Sequence, residues 1–84
     1  MVVITKTKLI LFYEKEPMAK EPLIRWYNTV LESDWGNFYS IKQSFNSVDS
    51  IGNDRFVFNI AGNKYRIVAM IHFSKRTLYL RFVG

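Results

Sequence analysis

The chain has 84 residues, 49% of them hydrophobic and 17% aromatic, which suffices for a single domain over residues 1–84 and excludes a disordered polypeptide. It has no cysteine and one histidine, which excludes disulfides and a cysteine nucleophile, so we expect neither a metal nor another cofactor. The net charge is +5, and no apolar run reaches the ~18 residues of a membrane span, so a cytoplasmic domain without membrane contact is expected.

The N-terminal part of the chain is predicted to form one short strand and then helices. The β-branched residues 2–4 predict a strand of three or four residues. Thr5 is a candidate N-cap for a first helix, which ends before Pro17 because the residue preceding a proline avoids the helical region. A second helix is predicted from about residue 19 to residue 31, on the spacing of its apolar residues.

The rest of the chain is predicted to turn from helix to sheet. Residues 38–45 fit two further helical turns with Phe38, Ile41 and Phe45 inward, and turn-forming residues then crowd positions 46–54. Alternating apolar residues predict three strands: 55–60, 64–73 and 77–83. The predicted fold class is therefore α+β, with a short N-terminal strand and two to three helices on one face of an antiparallel sheet that ends in a three-stranded meander.

Splitting the three strands into alternate residues separates two faces. One face is apolar and is predicted to meet the helices: Phe56, Phe58, Ile60, Tyr65, Ile67, Ala69, Ile71, Phe73, Leu78, Leu80 and Phe82. The other is covered by no predicted helix and mixes aliphatic residues with Arg55, Asn59, Arg66, His72, Tyr79 and Arg81.

The basic charge is concentrated in the same half of the chain. Residues 38–84 contain seven Lys and Arg against two Asp, whereas residues 1–37 contain five of each sign. Such asymmetry is typical of a protein with a polyanionic partner. Arginine binds phosphate, and arginine and tyrosine stack on bases, so RNA binding is predicted. An ordinary solvated antiparallel face is the alternative interpretation.

Two segments, GNDRFVFNIAGNKYRIV at 52–68 and the ending LYLRFVG, resemble the HigB group of bacterial type II toxins within the RelE/ParE fold. The similarity also includes the start VITKTKL, Pro17, Trp26, Trp35 and a K-x-x-F segment at Lys42. It extends from Met1 to Gly84, and the order of the motifs matches the predicted order of helices and strands.

The resemblance implies an endoribonuclease, an mRNA interferase that cuts mRNA on the translating ribosome without a metal. A HigA-like antitoxin with a helix-turn-helix is the implied inhibitor, and its contacting segment should be acidic or amphipathic and cover either the basic face or the helices. The implied reaction transfers the scissile phosphate to the neighbouring 2′-hydroxyl, which requires a base, an acid and cations at the phosphate.

Residue roles follow from the resemblance together with the predicted faces. Arg66 and Arg81 are candidates for phosphate stabilisation, and His72 or Tyr79 for proton transfer. The candidates for RNA binding are Lys42, Arg55, Asn59 and Lys64.

Relatives of the HigB group usually continue past the residues equivalent to Gly84 with a tail that contributes to the active site. This sequence stops at Gly84, either because it is cut short or because the natural protein lacks the tail. Three interpretations therefore remain open. The chain is an active interferase, a tail-less domain that binds RNA and antitoxin but cleaves poorly, or a non-catalytic or gyrase-directed module of the ParE type.

Overall fold

Three helices pack on one face of a five-stranded sheet in a computed structural model that describes residues 1–84. In chain order these are β1 (Val2–Ile4), α1 (Thr7–Lys15), α2 (Lys20–Glu32), α3 (Phe38–Ser44), β2 (Val48–Gly52), β3 (Arg55–Ile60), β4 (Tyr65–His72) and β5 (Thr77–Val83). Short 3₁₀ helices cover Pro17–Ala19 and Phe73–Lys75. The strand order is β1-β5-β4-β3-β2, with β1 parallel to β5 and the other pairs antiparallel. The predicted α+β class is confirmed.

The first two helices form where the apolar spacing predicts them. Leu23, Trp26 and Val30 of α2 are three and four residues apart, and at most 2% of each is exposed. Leu9 of α1 is buried beside them, and this helix ends before Pro17. None of the three helices combines the length and the apolar character that a bilayer crossing requires.

The start of α1 differs from the prediction, because Thr5 provides no side-chain cap. Its φ of +73° is left-handed, whereas an N-cap hydroxyl reaches the helix amides from an extended backbone. The chain leaves β1 at Thr5, and the backbone carbonyl of this residue accepts a hydrogen bond from the N–H of Lys8 at 3.1 Å. The helix then begins at Thr7 without a side-chain cap, so the predicted role of Thr5 is wrong.

The predicted third helix is confirmed, and it is capped by Asn37. The side-chain oxygen of Asn37 accepts a hydrogen bond from the backbone N–H of Ser40 at 2.9 Å, which satisfies one of the free amides at the helix start. Ile41 is fully buried, and Phe38 stacks on Phe56 with ring centroids 5.7 Å apart. This contact fixes α3 beneath β3.

The meander has four strands rather than the predicted three, because residues 48–52 form β2. This strand lies at the sheet edge and pairs antiparallel with β3, with Val48 opposite Phe58. Only Val48 is buried, and the other four residues are exposed. An edge strand with one buried side chain shows no apolar alternation, and the polar residues of β2 therefore match a turn pattern in the sequence.

A β-bulge near the end of β5 changes which residues face the helices. Ala69 of β4 pairs with Leu80 while Val68 pairs with Phe82, so Arg81 is the extra residue of β5. After the bulge the alternation is reversed. Phe82 points away from the helices and is 53% exposed, and Val83 packs partly against the core instead. The prediction that Phe82 faces the helices is therefore wrong.

Replacing the two phenylalanines separately tests this assignment. Phe58→Ala should lower the free energy of unfolding by about 3–5 kcal/mol, because it empties a fully packed aromatic site. Phe82→Ala should lower it by about 1 kcal/mol or less, because its ring is already half in solvent. Urea denaturation of the purified variants measures both values, and equal losses would contradict the bulge.

Candidate functional site

The sheet face opposite the helices is uncovered, and we call it the open face. It carries the outward side chains of β3, β4 and β5: Arg55, Val57, Asn59, Arg66, Val68, Met70, His72, Tyr79, Arg81 and Phe82. Arg66, Arg81 and Phe82 are exposed, and the other seven are half-buried. Both predicted phosphate-binding arginines therefore point away from the core, as the alternation predicts.

The strand register arranges the open face in rows. Asn59 lies opposite Arg66, whose backbone exchanges hydrogen bonds of 2.7 and 2.9 Å with Gly84. The next rows are Val57, Val68 and Phe82, then Arg55, Met70 and Tyr79, then His72 and Thr77. At about 3.3 Å per residue, the Arg66 and His72 rows are roughly 20 Å apart. The open face thus has two polar ends separated by an apolar row.

The His72 end brings together two of the four predicted catalytic side chains, His72 and Tyr79. The rings of His72 and Tyr79 meet edge to face, with centroids 6.1 Å apart. Arg81 lies at the bulge, and its Nη2 is 3.8 Å from the Sδ of Met70, the cross-strand partner of Tyr79. Imidazole and phenol groups transfer protons and a guanidinium binds phosphate, so this end has the groups that phosphoryl transfer needs.

The Arg66 end contains cations and an aromatic ring but no second proton-transfer pair. Lys64, Arg66 and Phe82 line a shallow hollow of about 260 Å³ there. Lys64 follows the 61–63 turn, whose three residues all have positive φ. A lysine, an arginine and an exposed ring suit a phosphate and a stacked base, so this end is built for binding. Arg66, also predicted to be catalytic, is thereby separated from His72 and Tyr79.

Lys42 lies away from the open face. It is on α3, on the helical side of the sheet, and its Nζ donates to the carbonyl oxygens of Asn46 at 3.3 Å and Val48 at 3.4 Å. The side-chain amide of Asn59 is also engaged, because Nδ2 donates to the Ser47 carbonyl at 3.3 Å. Both side chains therefore hold the α3–β2 connection, Lys42 from the helical side and Asn59 from the sheet.

The cations of the open face are free of carboxylate partners. The molecule has two ion pairs within 4.0 Å, Arg25–Glu21 and Arg76–Asp34, and neither involves the open face or Lys64. Arg76, one of the basic residues of the second half of the chain, is paired with Asp34 at 2.7 Å and so is not free to bind an anionic ligand. No group of three or more His, Cys, Asp or Glu side chains is assembled anywhere.

Phe82 is the residue of this surface that the sequence pattern misses. The ending Leu-Tyr-Leu-Arg-Phe-Val alternates without interruption, and nothing in it marks the bulge. The bulge becomes visible only when β5 is aligned with β4, because it is a property of the pair of strands.

An α+β domain with helices on one face of its sheet and a basic open face on the other belongs to a class of proteins that act on nucleic acids. The sequence model of the HigB toxin family, the RelE-like toxic component of a toxin–antitoxin system, matches residues 19–84. The chain belongs to this family, which confirms the resemblance seen in the sequence.

Individual relatives agree with the family match. The chain is 34% identical over 85 aligned positions to the mRNA interferase toxin HigB of Escherichia coli K12, and the alignment covers 99% of this chain and 82% of that protein. The mRNA interferases HigB of Escherichia coli O157:H7 and Shigella flexneri give the same identity and coverage.

Truncating the two open-face arginines should leave the fold intact. Arg66→Ala and Arg81→Ala each remove an exposed side chain with no carboxylate partner, so each should change the free energy of unfolding by no more than about 0.5 kcal/mol. Thermal denaturation followed by circular dichroism measures this, and a large loss in either variant would show that the side chain supports the core.

Proposed function

We propose that this chain is an endoribonuclease that cuts messenger RNA, the toxin of a type II toxin–antitoxin pair. The observation that carries the proposal is the contact of His72 with Tyr79 at one end of the open face, together with Arg81 at the neighbouring bulge, where it contacts Met70. The relatives in Escherichia coli and Shigella flexneri, named mRNA interferases, support the same activity.

The proposed reaction is an internal transfer of the scissile phosphate. A base takes the proton of the 2′-hydroxyl, the freed oxygen attacks phosphorus, and the 5′-oxygen leaves with a proton supplied by an acid. We assign the proton transfers to His72 and Tyr79, whose rings are adjacent. Arg81 stabilises the charge that builds on the phosphate, because its guanidinium lies against Met70, the cross-strand partner of Tyr79.

The remaining predicted site residues are proposed to hold the RNA on either side of that cluster. Arg66 and Lys64 bind phosphates at the far end, roughly 20 Å away, a span of several nucleotides. Arg55, in the Met70 row, contacts the backbone near the cleaved bond. Asn59 and Lys42 contact RNA that leaves the sheet over the start of β2, where both side chains lie.

The partners and the location belong to the same proposal. Residues 1–84 act as one RelE-like domain, consistent with a single core cluster of 16 buried residues. The domain acts in the cytoplasm on mRNA bound to ribosomes, and a helix-turn-helix antitoxin inhibits it. The family description as a toxic component of a toxin–antitoxin system supports an antitoxin partner.

A cleavage assay with matched variants tests the enzyme proposal. Purified protein is added to a translating extract, and transcript ends are mapped by primer extension. We expect wild-type protein to produce defined cuts, His72→Ala to slow them by about 10²–10⁴-fold through loss of proton transfer, and Arg81→Ala by about 10²–10³-fold. Arg25→Ala is the control, because this exposed arginine lies on α2.

Intact transcripts with the wild-type protein would show that the enzyme proposal is wrong. If cuts appear but His72→Ala and Arg81→Ala cut as fast as Arg25→Ala, the activity stands and the assigned catalytic cluster is wrong.

The binding end is tested separately by salt dependence. With a 2′-O-methyl RNA, which lacks the attacking hydroxyl, log K should fall linearly with log salt, and each lost phosphate contact should reduce the slope by about 0.7. Lys64→Ala and Arg66→Ala should each produce that reduction, whereas Arg25→Ala should not. Fluorescence anisotropy measures the affinities, and unchanged slopes would remove both residues from the RNA site.

A further inference from the structure

A shallow groove of about 260 Å³ runs between α1 and the end of β5, and we call it the α1–β5 groove. Its helical wall is a single stripe of α1, spaced by three, four and seven residues: Lys8, Leu11, Phe12 and Lys15. Its other wall is formed by Arg81 and Phe82 of β5. The groove thus adjoins the open face but is built mostly from a helix that the RNA site does not use.

The centre of the groove is apolar and exposed. Leu11 is 55% exposed and Phe82 is 53% exposed, one on each wall. Phe12 also lines the groove and is held in place by an edge-to-face contact with Tyr65, at a centroid distance of 5.8 Å. Two large apolar side chains that face one shared groove in so small a domain mark an interaction surface.

The rim of the groove carries positive charges that no carboxylate of the protein neutralises. Lys8 and Lys15 lie along the helix and Arg81 lies on the strand, and no carboxylate lines the groove. None of these three cations forms an ion pair. A partner that fills the groove must therefore place acidic groups around an apolar centre.

We propose that the α1–β5 groove binds an acidic amphipathic segment of a protein partner, the inhibitor of the toxin. This rests on the proposed function, since an inhibitor is needed only if the chain is a toxin. The apolar side chains of such a segment would bury Leu11 and Phe82, and its carboxylates would meet Lys8, Lys15 and Arg81. RNA fits less well, because an exposed leucine offers a nucleotide neither a charge nor a stacking surface.

The position of the groove also explains how its occupant would inhibit cleavage. Arg81 and Phe82 belong both to the groove and to the open face, because the bulge turns this end of β5 outward. Phe82 in addition lines the hollow that contains Lys64 and Arg66. A segment bound beside α1 therefore occupies Arg81 and Phe82 and blocks the RNA path without covering His72 and Tyr79.

The test uses the purified product of the gene that neighbours the toxin gene, with affinity measured by isothermal titration calorimetry. The double variant Lys8→Glu/Lys15→Glu and the single variant Leu11→Ser should each weaken binding by about tenfold or more. Because all three positions are exposed, the melting temperatures should stay close to that of the wild type. Cleavage of mRNA by the free variants should be unchanged.

The control is Lys20→Glu/Lys75→Glu, which makes the same change of charge at two exposed lysines outside the groove and should leave the affinity within about twofold. Equal loss in the control and the groove variants would overturn the proposal, and so would full affinity in the groove variants. It would also be overturned if the wild-type chain did not bind the partner at all. Loss of RNA binding with partner binding retained would show that the groove is an RNA surface. If the groove variants lose the partner although the wild type never cleaves RNA, the groove assignment stands and the proposed enzyme fails.

Discussion

The packing around Phe58 at the centre of β3 is the contact on which the rest of the molecule depends. Its ring meets Trp26 of α2, Trp35 of the α2–α3 connection and Phe45 at the end of α3, with centroids 5.4, 6.3 and 5.4 Å apart. Aromatic rings contribute the largest buried areas available to a small core. Because one cluster holds both helices to the same side of the sheet, the other side stays uncovered and its arginines remain free.

The β-bulge at Arg81 is the second decisive feature, because it joins two surfaces that regular strands would keep apart. Without it, Phe82 would lie among the helices and Val83 would be outside. With it, an arginine and an aromatic ring stand at the junction of the open face and the α1–β5 groove. Bulges often occur beside functional sites because they redirect a side chain without disturbing the rest of the sheet. A small domain can thereby couple substrate binding and inhibitor binding through two residues.

Several features were predictable because they depend on neighbours in the sequence. The 61–63 turn, the alternation in β3 and β4 and the apolar stripe of α2 are local patterns, and all three are confirmed. The errors have a common cause. Strand β2 exists only through its pairing with β3. Thr5 does not act as the N-cap of α1, because it lies in the turn that leaves β1. The position of Lys42 is likewise set by tertiary contacts, since its hydrogen bonds depend on how α3 meets β2, and its predicted role in RNA binding stays a prediction.

The amino-acid sequence by itself determined the α+β class, the family, the identity of the apolar sheet face and the concentration of basic residues in the second half of the chain. The class, the apolar face and the charge distribution follow from periodicity and composition, which a single strand or helix expresses alone, whereas the family follows from the similarity of sequence motifs. The tertiary structure decided which cations are free, that the rings of His72 and Tyr79 meet, and that Arg66 lies far from them along the open face. It did so because strand register, a bulge and ion pairs between distant residues are relations between segments, and they come into being only when the segments pack together.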